Sequence, residues 1–357
     1  MVAASGAPKP QPGSPLPTRE LNEPMGLPAD QLRGIAACYR LSQLVYACAS
    51  LGVADALAEG PQTAEQVAGK IGAPAATVFR LLRAAASEGV IEARTGRYEL
   101  NAFSRQLVSG AEESLREFIL GWSALRVGYL AFGYLDQAVR AGASGTELAF
   151  GQRFHDYLRS HPGEAKHYEA AMESTVAGFR AAAAAYDFSR FGKIVDVGGG
   201  QGAFLVAIRQ RCPHVEAVLF DVPGVVAKAP ARLAPYPEGR DITIVGGDMF
   251  SGVPPGADAY LFSTVLRCFG DDECVRVLQL CREAMRPDGR VLAVEMVIPE
   301  GIPPSPQGLA DLQALVVYGG KDRTKAEWAA LMAAAGFGRP QFHPADDPYC
   351  VVEAAAG

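Results

Sequence analysis

The stretch Lys193-Ile194-Val195-Asp196-Val197-Gly198-Gly199-Gly200-Gln201-Gly202-Ala203-Phe204 decides the fold. Residues 194–197 form a run of strand length, mostly apolar, that passes straight into a turn of glycines at 198–202. Phe204, Leu205, Ala207 and Ile208 then fall on the apolar side of a helical pattern. Strand, glycine turn and helix form a nucleotide-binding opening. A side chain in such a turn would hold the backbone away from the ligand, and the turn often requires positive φ.

A plain tight turn between strand and helix would also use glycines, so the later strands matter. Residues 215–220 form a second apolar run ending in Asp221, which lies 25 positions beyond Asp196. An acidic residue near that offset accepts hydrogen bonds from a ribose. Residues 242–245 form a third run, followed by G-G-D-M-F at 246–250. Asp248 is placed to bind an adenine amino group and Met249 to lie against the ring. The glycines read G-G-G-Q-G and lack the spacing of a pyrophosphate binder, and no Lys-Ser/Thr pair follows, which excludes a P-loop. An adenosine without phosphates suits this pattern, and S-adenosylmethionine fits it.

The chain has 357 residues, 49% hydrophobic and 20% charged, enough for two or three domains with sizeable cores at roughly 150 residues each. A formal net charge of -6 argues against a nucleic-acid partner. The cysteines at 38, 48, 212, 268, 274, 281 and 350 are odd in number and form no C-x-x-C pair. They read as reduced, buried thiols of a cytoplasmic protein, with no disulfide framework and no metal. Residues 1–28, with prolines at 8, 10, 12, 15, 17, 24 and 28, read as a disordered tail without a signal-peptide core. No apolar run reaches the roughly 18 residues of a membrane span.

Residues 29–110 read as a winged-helix domain. Leu41, Leu44, Val45 and Cys48 make a helical stripe, and Thr63 with Gln66 forms a capping box. A second helix follows over 75–87, then a hairpin over 90–100 turning at Thr95-Gly96. A winged helix raises the possibility of a regulator that binds DNA. Between residues 30 and 110, however, eight Arg/Lys stand against seven Asp/Glu, and the second helix carries only Arg80 and Arg83 as cations. A DNA-reading helix needs a basic face, so this domain is assigned to homodimerisation.

Residues 111–187 read as a helical linker and substrate lid, with helices over 113–139, around 154–158 and over 164–185. Most of its aromatics belong to packing, while Phe154, Trp122 and Tyr129 are candidates for a pocket that takes a flat ring. Residues 188–357 alternate strands and helices, with further strands at 259–262 and 290–295 and an antiparallel edge pair of 341–343 with 348–353. The fold class is α/β, a Rossmann-like doubly wound sheet behind an N-terminal winged-helix domain, with the ligand at the carboxyl ends of the strands.

Taken together, V-D-V-G-G-G-Q-G at 195–202, F-D-V-P at 220–223, G-D-M-F at 247–250 and G-G-K-D-R-T at 319–324 resemble the class I, S-adenosylmethionine-dependent O-methyltransferases of the caffeate and hydroxyindole type. The resemblance covers about residues 30–354. It implies that Gly198 and Gly200 approach the methionine part of the cofactor, that Asp221 with Val222 serves the ribose, and that Asp248 and Met249 hold the adenine. It also implies that Met172, in A-A-M-E-S-T, and Ser263 lie near the donor.

One segment departs from the family. After the fourth strand the family has a Lys and then a His-Asp-Trp whose His is the general base, whereas this chain has Ser263 and Arg267 at those positions. Glu295 stands where the family has Glu, and Asp322 where it often has Glu, so the catalytic candidates are Arg267, Glu295 and Asp322. Arginine is no base near neutral pH. Three readings stay open. The reaction needs no base, because methyl transfer from a sulfonium is governed by approach geometry; another residue, Glu295, Asp322, His155 or His343, supplies one; or the fold uses the cofactor for something else, such as hydroxylation or a pericyclic reaction. Arg267 either pairs with Asp271 or Asp272 or holds an anionic substrate. The run F-S-T-V-L-R-C-F-G-D-D-E is similar to that of bacterial phenazine methyltransferases, which also lack the His. The expected reaction is therefore methylation of a hydroxyl on a polycyclic, phenazine-like aromatic, with methylation of a ring nitrogen as the alternative.

Overall fold

The computed structural model describes residues 29–111, 114–123, 126–174, 176–301, 307–345 and 349–357. The tail expected over 1–28 lies outside the described residues, as does the side chain of Trp122. The chain divides into two compact units, the first closing at Arg116 and the second opening at Glu117. No helix among the described residues is long and apolar enough to cross a membrane.

The first unit holds α1 (Ala29–Ser50), α2 (Val53–Leu57), α3 (Ala64–Ile71), α4 (Ala75–Ser87), the hairpin β1 (Glu92–Arg94) and β2 (Arg97–Glu99), and α5 (Ala102–Arg105). The capping box starts α3: Thr63 Oγ1 accepts from Gln66 N, and Gln66 Oε1 accepts from Thr63 N. Gly72 in the left-handed region ends the helix. Val67, Val78, Leu82, Val90 and Tyr98 bury the inner faces of helices and wing in one core.

Helix α6 (Arg116–Phe118) starts on the last residue of the first unit, and the second unit continues with α7 (Arg126–Phe132), α8 (Leu135–Ala141), α9 (Gly145–Phe150), α10 (Phe154–Ser160), α11 (Pro162–Ser174) and α12 (Val176–Ala185). The single helix expected over 113–139 is broken, and a π-helical turn, Ile119–Ser123, follows α6. Close packing accounts for this: a Cβ on Gly121 would lie 1.9 Å from the carbonyl oxygen of His167 on α11. Backbone meets backbone there, which helical periodicity does not reveal.

The sheet follows. Its strands are β3 (Lys193–Val197), β4 (Glu216–Asp221), β5 (Thr243–Gly246), β6 (Ala259–Ser263), β7 (Arg290–Ile298), β8 (Arg323–Thr324), β9 (Gln341–Pro344) and β10 (Tyr349–Ala355). Interleaved with them are α13 (Ala203–Arg211), α14 (Pro223–Val226), α15 (Ala229–Leu233), α16 (Asp271–Ala284), α17 (Gln307–Gln313) and α18 (Lys325–Ala334). Among the described residues the strand order is β5-β4-β3-β6-β7-β10-β9, with β8 beside β7. Strands β3 to β8 pair in parallel, and β10 joins antiparallel to both β7 and β9. The order reverses between β3 and β6, which opens a crevice at the carboxyl ends of these two strands.

The pleat sorts the site residues. Asp196, Asp221 and Ser263 point to the face that carries Ile194, Leu219 and Leu261. Glu295 points to the opposite face, with Val291 and Ala293.

Candidate active site

At the turn after β3, Gly198 and Gly200 take φ of 72° and 60°. Each has a different reason for being glycine. A Cβ on Gly198 would meet Val265 Cγ2 at 2.9 Å, whereas a Cβ on Gly200 would meet nothing within 4 Å. The turn therefore presents bare backbone to open space at Gly200. Gly199 is closed from below, since its Cβ would lie 2.6 Å from the carboxyl of Asp196.

Asp221 ends β4 and ties the turn down: its carboxylate accepts from Gly200 N at 2.9 Å and from Val222 N at 2.7 Å. Burial raises its pKa, and these two backbone bonds oppose the rise. Asp196 is fully buried, and neither of its carboxyl oxygens has a hydrogen-bond partner among the described residues. Burial, with the charge of Asp221 behind it, pushes this carboxyl up to about 8. Ser263 Oγ, on the same sheet face, is likewise buried and unpartnered. Asp248 is exposed and closes its own turn, accepting from Phe250 N and Ser251 Oγ at 3.0 Å each. Met249 is half-buried against the core beneath. Met172, also half-buried, belongs to α11, which is anchored near the glycine turn by Glu169 contacts to Gln201 and Lys228. A half-buried glycine turn with open space at Gly200, beside buried oxygens of Asp196 and Ser263 that lack partners among the described residues, fits a ligand that carries its own polar groups, as the sugar and amino acid of an adenosyl cofactor do.

On the other face of the sheet lies the segment where the expected histidine is missing. Arg267 sits in a 3-10 turn, Leu266–Cys268, and is 4% exposed. Its Nε and Nη2 each donate to Asp322 at 2.8 Å, and Nη2 also donates to Ala310 O at 3.0 Å. Burial disfavours the charged guanidinium, but the Asp322 bonds prevail and its pKa is raised. The partner expected for Arg267 was Asp271 or Asp272, and this is corrected. Asp271 is engaged by Arg323 Nη2 at 2.8 Å and by Lys321 at 2.9 Å. Gly320 explains the exchange. A Cβ there would lie 2.2 Å from the carbonyl oxygen of Arg267, so glycine lets the segment carrying Asp322 and Arg323 lie against the 3-10 turn.

Glu295 is 1% exposed; one oxygen accepts from Leu266 N at 2.8 Å and the other has no partner among the described residues. Burial raises its pKa to about 8, opposed by the charge of Arg267. The turn above it is strained, because Thr264, a β-branched residue, holds φ of 55°. Sequence reasoning passed over this residue and also over Arg323. Fully buried, Arg323 donates to Leu266 O and Phe269 O at 3.2 Å each. Its presence inside G-G-K-D-R-T was the available signal.

An aromatic cluster stands beside this segment. Phe154 is 3% exposed and meets Tyr168 and Tyr318 edge-on, each with ring centroids 5.1 Å apart. Burial pushes the pKa values of both the Tyr168 and Tyr318 hydroxyls up. The charge of Arg267 lowers the Tyr168 pKa slightly and that of Asp221 raises it, both minor beside burial. Tyr129, on α7, is 37% exposed. Of the histidines considered as bases, His155 stacks on Tyr318, whereas His343 hydrogen-bonds Glu353, which pairs with Leu292 nearer the start of β7.

The O-methyltransferase dimerisation domain matches residues 34–110, and the O-methyltransferase domain matches residues 132–338. The chain is 36% identical to the phenazine O-methyltransferase PhzM of Lysobacter antibioticus, over 88% of this chain and 93% of that one. It is also 36% identical to the 3-amino-4-hydroxybenzoate 4-O-methyltransferase of Streptomyces cremeus, over 83% and 81%. The solved structure of the N,N-8-amino-8-demethyl-D-riboflavin dimethyltransferase of Streptomyces davawensis superposes with a TM-score of 0.76 at 32% identity, covering 93% of this chain and all of that one.

Proposed function

The chain belongs to the class I S-adenosylmethionine-dependent O-methyltransferases, and from that premise we propose that it methylates a hydroxyl of a planar, polycyclic aromatic natural product without a histidine base. Bound S-adenosylmethionine supplies an electrophilic methyl group. In this reading the backbone at Gly198 and Gly200, with Asp221, Val222, Asp248, Met249, Ser263 and Met172, holds the cofactor. The observation that carries the proposal is the bidentate Arg267–Asp322 pair standing where the family places its base. A guanidinium so held takes up no proton at neutral pH. An acceptor that already ionises near neutral pH then needs chiefly to be positioned.

The aromatic cluster of Phe154, Tyr168 and Tyr318 supports a flat acceptor. Two similar proteins act, by name, on a phenazine and on an aminohydroxybenzoate. The similar riboflavin-type dimethyltransferase works on nitrogen, which keeps N-methylation as the second reading. In the first unit the dimerisation domain, with Leu32, Ile35 and Tyr39 exposed on α1, supports a homodimer. Seven free thiols among the described residues agree with a cytoplasmic setting. The test is incubation with methyl-labelled cofactor and a panel of hydroxylated aromatics. Label in an aryl ether is expected; tight cofactor binding with no labelled product would overturn the proposal.

A further inference from the structure

His155 occupies an unusual place in the second unit. Its neighbours on α10, Phe154, Tyr157 and Leu158, turn into the core, while His155 itself is exposed. That ring lies nearly parallel to Tyr318, 5.8 Å away at 14°, and meets Phe154 edge-on at 5.4 Å. Protein nevertheless surrounds it closely enough that burial, followed by the charges of Arg153 and Arg159, depresses its pKa to about 4. An exposed imidazole stacked on a buried tyrosine makes one aromatic wall.

The charged groups near it are spoken for. Arg153 is bonded to Glu273, and Arg159 to Asp156. The Tyr168 and Tyr318 hydroxyls stay protonated. His155 has stacking and edge contacts but no hydrogen-bond partner among the described residues. Its imidazole is therefore neutral near pH 7, with one N–H to donate and one lone pair to accept. The wall continues from His155 through Tyr318 and Phe154 to Tyr168.

We propose that His155 is a specificity-determining residue of the acceptor site, whose imidazole hydrogen-bonds a polar substituent on the edge of a planar aromatic acceptor lying along the His155–Tyr318 wall. This rests on the proposed methyltransferase reading and extends it to one side chain. The role is recognition: an imidazole that resists protonation makes a poor proton acceptor and a good neutral partner.

The test compares the full chain with His155→Phe and His155→Gln, saturated with S-adenosylhomocysteine. Binding of 1-hydroxyphenazine and of 3-amino-4-hydroxybenzoate is read by calorimetry. Phe keeps a stacked ring without nitrogen, so the better-bound probe should weaken on the order of 10-fold, the loss of one hydrogen bond. Gln, which restores donor and acceptor, should recover most of it. Affinity for S-adenosylhomocysteine and the melting temperature should not move in either variant, and the loss should appear in KM with kcat nearly constant. Unaltered probe binding in both variants would overturn the inference, as would a collapse of kcat at constant KM or failure of both probes to bind the parent chain. Failure of the methyltransferase reading looks different: the probes bind and His155 governs their affinity, yet no labelled methyl appears in product.

Discussion

Arg267 and Asp322, 55 positions apart in sequence, face each other through two hydrogen bonds of 2.8 Å, and each is 4% exposed. The pair joins the turn after β6 to the segment before β8. Such a pair gains little over apolar residues of the same shape, but losing one partner leaves the other charge buried. Arg267→Gln or Asp322→Asn should each cost about 3–5 kcal/mol, and the double variant much less than their sum. Denaturant unfolding measures this. Single variants within about 1 kcal/mol of the parent would mean that the pair is solvated in solution.

Glu295 and Asp196 give a pH dependence of definite sign. Each holds its proton up to about pH 8 in the folded chain, whereas in the unfolded chain it is released near the ordinary carboxyl range of about 4. Between those values the folded state binds more protons. The contribution of these groups is therefore full below pH 4 or so and is lost as pH rises to about 8, by up to roughly 1.4 kcal/mol per pH unit for each group. Glu295→Gln should flatten the fall of unfolding free energy over this window. An unchanged slope would show that Glu295 is ionised in the folded protein.

The parallel sheet and the glycine turn were readable because both obey local rules: apolar runs of strand length, glycine where φ is positive, and a capping box at Thr63. The partner of Arg267 was not. Asp271 is near in sequence, but Gly320 brings Asp322 to the arginine instead, and only the folded backbone reveals that approach. The break near Gly121 has the same origin, in contact with a helix distant in the chain. The aromatic wall was half legible. Phe154 stands out in the sequence by its size, yet it is buried and the exposed surface there belongs to its neighbour His155.

Glycines 199 and 200 should separate fold from binding. Gly199→Ala pushes a methyl to 2.6 Å from Asp196 Cγ and 2.7 Å from Leu219 Cδ1, so it should lower the melting temperature markedly. Gly200→Ala meets nothing within 4 Å and should cost only the roughly 1–2 kcal/mol of left-handed backbone. It does, however, place a methyl in the proposed cofactor space, so S-adenosylhomocysteine binding should weaken at least 10-fold, equivalent to about 1.4 kcal/mol. Calorimetry and thermal unfolding on both variants decide it, and equal affinity in Gly200→Ala would remove the turn from the cofactor site.

Tyr39 and Leu32 are 56% and 61% exposed on α1, large apolar side chains that a dimer would cover. Tyr39→Asp with Leu32→Asp should shift the sedimentation of the full chain from dimer to monomer while leaving its helical circular dichroism intact. A variant that still sediments as a dimer would place the interface elsewhere.

Ser263 supplies a sharper probe of the donor end than any charged residue. Its Oγ is buried without a partner among the described residues, so it contributes a desolvated, unsatisfied hydroxyl to the ligand-free fold. Removing such a group relieves a cost of about 1–3 kcal/mol and leaves only a hydroxyl-sized void. Ser263→Ala should thus hold or raise the melting temperature. If the hydroxyl exists to meet the cofactor, the same change should weaken S-adenosylhomocysteine roughly 3- to 10-fold, the net worth of one hydrogen bond. Stability and affinity then move in opposite directions, which general damage to the fold does not produce. Loss of both together would mark Ser263 as a structural residue with a partner that forms only in solution.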